Sequence, residues 1–329
     1  MTHRYSLRLL APAAMLLALP AWAEVPRIVT DIPATGALVQ QVLGDLGSPT
    51  VLMDKGGDPH HYQLRPSQAA SLQDAGLLVW IGPELAPWLQ RSAESLAPGR
   101  SLPLLAQPGT VTRTYAGDGD EDEHSHDAED HEHEHEHEHE HEHGHEHGDA
   151  DHHHEGTDPH AWLDPRNGQL WLKIIADHLA AQDAENAATY QANARKAADA
   201  LADLDARLQA RLAPARGRHF VVFHDAYGYF TQHYGLEPAI AVSLGDASTP
   251  SAARLKQIQD QIRQSDARCA FPELNHDPKL IQVAIEGSGA RLGPPLDPEG
   301  GSHDQGSGTL YADILSGLAT AIADCMAGD

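Results

Sequence analysis

Residues 169–212 contain neither glycine nor proline and are rich in Ala, Leu, Gln and Arg. So long a run of helix formers must be helical, and it divides the chain in two. Asp183 followed by Glu185 reads as a helix restart with a capping side chain and a first-turn acid. The spacing predicts one short helix and then one of about 30 residues, ~45 Å long at 1.5 Å per residue. Leu201, Leu204, Leu208 and Leu212 recur at helical spacing, but the rest of the apolar stripe is alanine and no heptad is sustained. A rigid strut between two bodies fits this pattern better than a coiled coil.

On both sides of the strut, short apolar runs alternate with amphipathic segments. Before it, residues 27–31, 50–53 and 77–81 read as strands. Leu38, Val42 and Leu46 mark a helix between the first two, and Pro66 opens another through residue 72. After it, strands are expected at 219–223, 238–242, 269–272 and 290–292, with helices at 251–264, 278–286 and about 307–326. Leu255, Ile258 and Ile262 form the buried face of the first of these helices. Strand and helix in alternation imply a parallel sheet covered on both faces. The expected fold class is therefore α/β, with two Rossmann-like (βα) lobes joined by a long rigid linking α-helix. The expected domains are 24–168, 169–213 for the linking helices, and 214–329. A length of 329 residues suits about two domains.

The first 23 residues have a basic start, a short apolar centre containing Pro12 and Pro20, and an Ala21-Trp22-Ala23 ending. They read as a secretory signal peptide cleaved after Ala23, because the apolar run falls short of the ~20 residues that span a bilayer. No cysteine lies near that point, so a lipid anchor on cysteine is not expected. In an oxidising compartment the only two cysteines, Cys269 and Cys325, are expected to pair. On the chain-entropy model, such a bridge stabilises the fold by about 4 kcal/mol. No Cys-x-x-Cys suggests a redox role.

The net charge is −26, yet residues 118–155 hold 18 acidic residues and no Lys or Arg, leaving −8 for the rest. Without a concentrated basic patch, nucleic acid is not an expected partner. Residues 124–154 also hold 14 of the 24 histidines, and His131, His133, His135, His137, His139, His141 and His143 alternate strictly with glutamate. The run has no apolar face to bury, so it is expected to be disordered without metal. Its neutral imidazoles suit weak, multiple capture of zinc, copper or nickel. The formal His-Glu-x-x-His match inside the repeat lacks the amphipathic helix that a zinc protease needs.

Among the other histidines, three have similar settings. His60 lies in Asp58-Pro59-His60-His61-Tyr62, His160 in Asp158-Pro159-His160-Ala161-Trp162, and His224 ends an apolar run before Asp225-Ala226-Tyr227. Asp297, after the last predicted strand, occupies a comparable place in the second lobe. Ligands of open parallel sheets bind beyond the carboxyl ends of the strands, where these residues could meet. Three imidazoles and one oxygen suit tetrahedral zinc.

The segments DPHHYQLRPS, DPHAWLDP, FVVFHDAYGYF and PLDP, with a charged His-rich insert before the second, resemble the cluster A-I family of solute-binding proteins of ABC uptake systems, specifically its periplasmic zinc-binding ZnuA type. The resemblance covers essentially the whole mature chain. It implies metal held between two α/β lobes, with the histidine ligands at His60, His160 and His224. Manganese-binding relatives place Glu at the third position, so zinc is favoured here. Some zinc-specific members supply Glu just before the first ligand, where this chain has Pro59. The fourth ligand is then Asp297, water or, less favoured, His61. The two cysteines also match a disulfide of enterobacterial-type members.

The expected function is a high-affinity periplasmic Zn2+ carrier, acting as a monomer and delivering to a membrane permease with a separate ATPase. No Gly-Lys-Ser/Thr phosphate loop is present. A storage or chaperone protein and a manganese-binding relative are the alternatives. A hydrolase would need an acid/base, and Glu273 is the candidate. Neutral imidazoles are required for ligation, so affinity is expected to fall as pH drops through about 6.5.

Overall fold

The computed structural model describes residues 25–115, 156–304 and 307–328; the expected signal peptide and the His-Glu run lie outside these. Two four-stranded parallel sheets are present. The first contains β1 (Ile28–Thr30), β2 (Thr50–Val51), β3 (Leu77–Trp80) and β4 (Ser101–Pro103), in the order β2-β1-β3-β4. The second contains β5 (Phe220–His224), β6 (Ile240–Ser243), β7 (Cys269–Phe271) and β8 (Arg291–Leu292), in the matching order β6-β5-β7-β8. In each sheet the chain leaves the first strand to one side and later returns to the other. Such a switch point opens a crevice beyond the carboxyl ends of the strands.

Central strands are buried on both faces, and successive residues feed different cores. Leu77 and Val79 of β3 join a large inner cluster, whereas Leu78 and Trp80 face outward. Leu72 of α2 (Pro66–Gln73) and Leu89 and Ala93 of α3 (Pro87–Leu96) cover that outer face. In the second sheet Phe220 and Val222 point inward and Val221 outward. There Ile258 and Ile262 of α7 (Ala252–Ser265) and Ile281 of α8 (Lys279–Ala284) seal the surface.

The inner cluster is continuous between lobes. It takes side chains from α1 (Pro33–Leu43), α4 (Pro165–Gln182), α5 (Ala187–Leu212), α6 (Gly228–Tyr234) and α9 (Leu310–Ala327), together with the inner faces of both sheets. The linking helix α5 packs on α4, on α1 of the first lobe and on α9 of the second. By length and apolarity α9 could cross a membrane, but Leu315, Leu318 and Ile322 are buried in this core.

Among the described strands and α-helices, β4, α3 and α6 were not expected from the sequence. The linker also differs in detail. The helix before the break is 18 residues rather than short, and α5 has 26 residues, or ~39 Å. Asp183 does not cap α5. Its carboxylate instead binds the backbone N–H and side-chain amide of Asn186 at 3.3 and 2.7 Å and the Tyr190 hydroxyl at 2.8 Å, so the turn is completed before α5 starts at Ala187. Cys269 and Cys325 form the expected disulfide, joining β7 to α9.

Polar contacts also cross the seam. Trp162 Nε1 donates to the Pro298 carbonyl at 2.8 Å, and the Tyr311 hydroxyl of α9 donates to the Trp162 carbonyl at 2.5 Å. Gly168 in α4 leaves room for that tyrosine, since a Cβ there would lie 2.5 Å from the Tyr311 oxygen. Alanine ordinarily favours a helix over glycine by ~1 kcal/mol. Here the order should invert, with Gly168→Ala lowering the urea-unfolding free energy by about 1–3 kcal/mol through overpacking.

Candidate metal centre

The two Asp-Pro-His tripeptides fold alike. Oδ1 of Asp58 accepts the His60 backbone N–H at 2.9 Å, and Oδ1 of Asp158 accepts that of His160, also at 2.9 Å. This is the turn expected of aspartate two residues before an N–H, with the intervening proline fixing φ. Each turn delivers its histidine to the three-ring group. His224 arrives differently, as the last residue of β5.

Two of the rings are oriented by carboxylates. Nδ1 of His160 lies 2.8 Å from Asp158 Oδ1, and Nδ1 of His224 lies 2.7 and 2.9 Å from the Glu273 oxygens. Glu273 follows β7, the strand beside β5, and also accepts the Tyr227 hydroxyl at 2.8 Å. An ionised carboxylate can only accept, so each Nδ1 carries hydrogen and each Nε2 is left to face inward.

The inward-facing atoms converge. Nε2 of His160 and Nε2 of His224 are 3.3 Å apart, and the His60 ring centroid is 5.3 and 5.9 Å from those of His160 and His224. One nitrogen from each of the three lies within 4.8 Å of the others. Tetrahedral zinc with Zn–N bonds near 2.05 Å places its nitrogens about 3.3 Å apart, so one pair already has that separation. His60 Nε2 is buried without a hydrogen-bond partner. Such an atom ordinarily costs about 1–3 kcal/mol, and a bound cation would satisfy it.

Burial, reinforced by repulsion from the neighbouring imidazoles, pushes His60 and His160 well below the usual histidine range. Burial pushes His224 down too, but the charge and hydrogen bond of Glu273 more than offset it and raise the ring to about 9. Burial alone would raise Glu273, yet His224 and Tyr227 hold it below the usual carboxylate range. Glu273 thus favours the protonated form of His224, whose Nε2–H would point toward His160 Nε2. A cation held by these rings would compete with that proton in a higher window than the 6.5 of a free imidazole.

Other candidates sit elsewhere. Asp297 is outside the three-histidine group: its oxygens accept Gly301 N–H at 2.9 Å, Ser302 N–H at 2.8 Å and the Ser302 hydroxyl. His61 is exposed. Glu273, the candidate acid/base, is engaged by His224 and Tyr227. His131 through His143 lie outside the described residues. Sequence reasoning did not assign Asp158 as the partner of His160, although the repeated tripeptide contains it. It also missed Glu299, whose buried carboxyl is pushed up to about 8 by desolvation and by repulsion from Glu273 and Asp297. No local pattern marks that residue.

If His224 ligates zinc, the ion must displace its proton, and binding at pH 7.5 should release about one proton. Calorimetry in two buffers of different ionisation enthalpy measures this. Affinity should fall about tenfold per unit from pH 8 to pH 7, and zero release would contradict the His224–Glu273 pairing.

Comparison with known proteins identifies the family. A family model described as the periplasmic component A of the zinc-uptake complex, ZnuA, matches residues 28–325. The chain is 65% identical over 327 residues to the high-affinity zinc uptake system protein ZnuA of Paracoccus denitrificans (strain Pd 1222), covering 99% of each. It is 36% identical over 307 residues to the protein of the same name from Brucella abortus (strain 2308), covering 91% of each. A crystal structure of a ZnuA deletion mutant with zinc bound superposes with a TM-score of 0.70 at 25% identity, covering 93% of this chain and 99% of that one. The chain belongs to the ZnuA family of periplasmic zinc-uptake components.

Proposed function

We propose that this protein captures Zn2+ in the periplasm through His60, His160 and His224 and delivers it to the membrane permease of an ABC importer driven by a separate ATPase. The observation that carries the reading is the convergence of three ring nitrogens within 4.8 Å in one largely buried site. Nitrogen donors favour zinc over manganese, which prefers oxygen. The ion's fourth position falls to solvent, because Asp297 would have to leave three donors to reach it. The chain works as a monomer of two lobes, 24–168 and 214–329, linked through 169–213 after removal of a signal peptide. The run of His131, His133, His135, His137, His139, His141 and His143 adds weak capture around the tight site.

Delivery requires that the site open. The continuous core beneath both sheets supports small displacements of lobes or loops rather than a wide hinge.

Competitive zinc and manganese titration tests the reading. His60→Ala, His160→Ala and His224→Ala should each weaken zinc by more than the ~10–100-fold typical of losing an outer partner of a ligand. Wild type should prefer zinc to manganese. Deleting residues 118–155 should leave one tight zinc site per chain; loss of that site would instead favour storage by the insert.

A further inference from the structure

Arg113 enters from the strand leading into the His-rich insert. Thr114 and Thr157 form an antiparallel bridge, the Tyr115 N–H donates to the Gly156 carbonyl at 3.2 Å, and the Asp158 N–H donates to the Arg113 carbonyl at 2.9 Å. The two ends of the insert thus form a short stem, and its last rung is the residue that orients His160. The stem rests on the second lobe at two glycines. A Cβ on Gly228, the first residue of α6, would lie 1.5 Å from Arg113 Nη1, and one on Gly245 would lie 2.2 Å from the Tyr115 oxygen. The Tyr229 hydroxyl links both strands of the stem, accepting the Arg113 N–H at 3.0 Å and donating to the Asp158 carbonyl at 2.8 Å.

From its seat over Gly228 the Arg113 guanidinium binds Oδ2 of Asp158, whose side chain is fully buried, while Oδ1 serves His160. It also lies 5.8 Å from the centroid of the Tyr229 ring. We propose that Arg113 is a positioning residue for zinc: seated in the Gly228 slot of the opposite lobe, it fixes Asp158 and through it the His160 ring, so that the ligand is held only while the lobes are docked. Moving the second lobe away withdraws the seat, frees Asp158 and loosens His160. Lobe separation and zinc release are thereby one event. The inference rests on His160 being a ligand.

Zinc competition and the ligand-field spectrum of the cobalt(II)-loaded protein test it, using the full chain. Arg113→Ala should weaken zinc 10–100-fold and shift the cobalt bands, and Arg113→Lys should recover part of both. Gly228→Ala keeps the arginine but fills its seat, and should reproduce the Arg113→Ala spectrum. Wild-type affinity and bands in Arg113→Ala would overturn the positioning role. A wild-type Gly228→Ala beside an impaired Arg113→Ala would overturn the cross-lobe seat. His160→Ala separates the two readings: if it leaves zinc affinity unchanged, the proposed site itself fails, whereas a large loss there with wild-type Arg113 variants rejects this inference alone.

Discussion

One apolar core underlies both sheets, and the candidate metal centre depends on it. His60 and His160 come from loops of the first lobe and His224 from a strand of the second, so no single lobe contains the site. Their separation is set by how the two sheets sit on α1, α4, α5 and α9. Trp162, Trp171, Tyr190 and Tyr311 are among the largest fully buried side chains in that shared core. Each such burial contributes of the order of 2–3 kcal/mol to holding that core together. Close packing also makes displacement of one lobe felt at the other, because interiors this dense transmit strain.

On this foundation the two carboxylates perform different work. Asp158 pairs with a ring whose burial keeps it neutral, and so provides orientation. Glu273 pairs with a ring whose charged form it favours, and so favours a proton that a bound cation would have to displace. His224 belongs to β5 and Glu273 follows β7, adjacent strands of one sheet, so that contact is fixed by the parallel register. A proton held on His224 would bridge two of the converging nitrogens, in place of three repelling lone pairs.

Much of this was legible in the sequence because its signals were local and periodic. Apolar runs located seven of the eight strands, and the glycine-free stretch located the linker. The strand β4 escaped because Ser101–Pro103 is not an apolar run and ends in a proline, which argues against a strand. Pro87 at the start of α3 offered a usable signal, as Pro33, Pro66 and Pro165 do for their helices. The three histidines were visible through a repeated tripeptide and a strand end. Their partners were less so: Glu273 is 49 residues from His224, and Arg113 is 45 from Asp158. Such pairs arise from sheet order and lobe docking, neither of which leaves a spacing to read. Asp183 shows the converse, a helix-capping residue type whose carboxylate found closer donors.

The paired stem at Thr114 and Thr157 has a consequence for how such chains can diverge. Where a segment leaves and rejoins a fold at neighbouring points, its contour length is decoupled from everything beneath it. Doubling the number of residues between the two threonines would cost only about 0.6 kcal/mol of closure entropy. Histidine content in that stretch can therefore be rewritten, lengthened or cut back by selection in different habitats without renegotiating the architecture that brings the three imidazoles together.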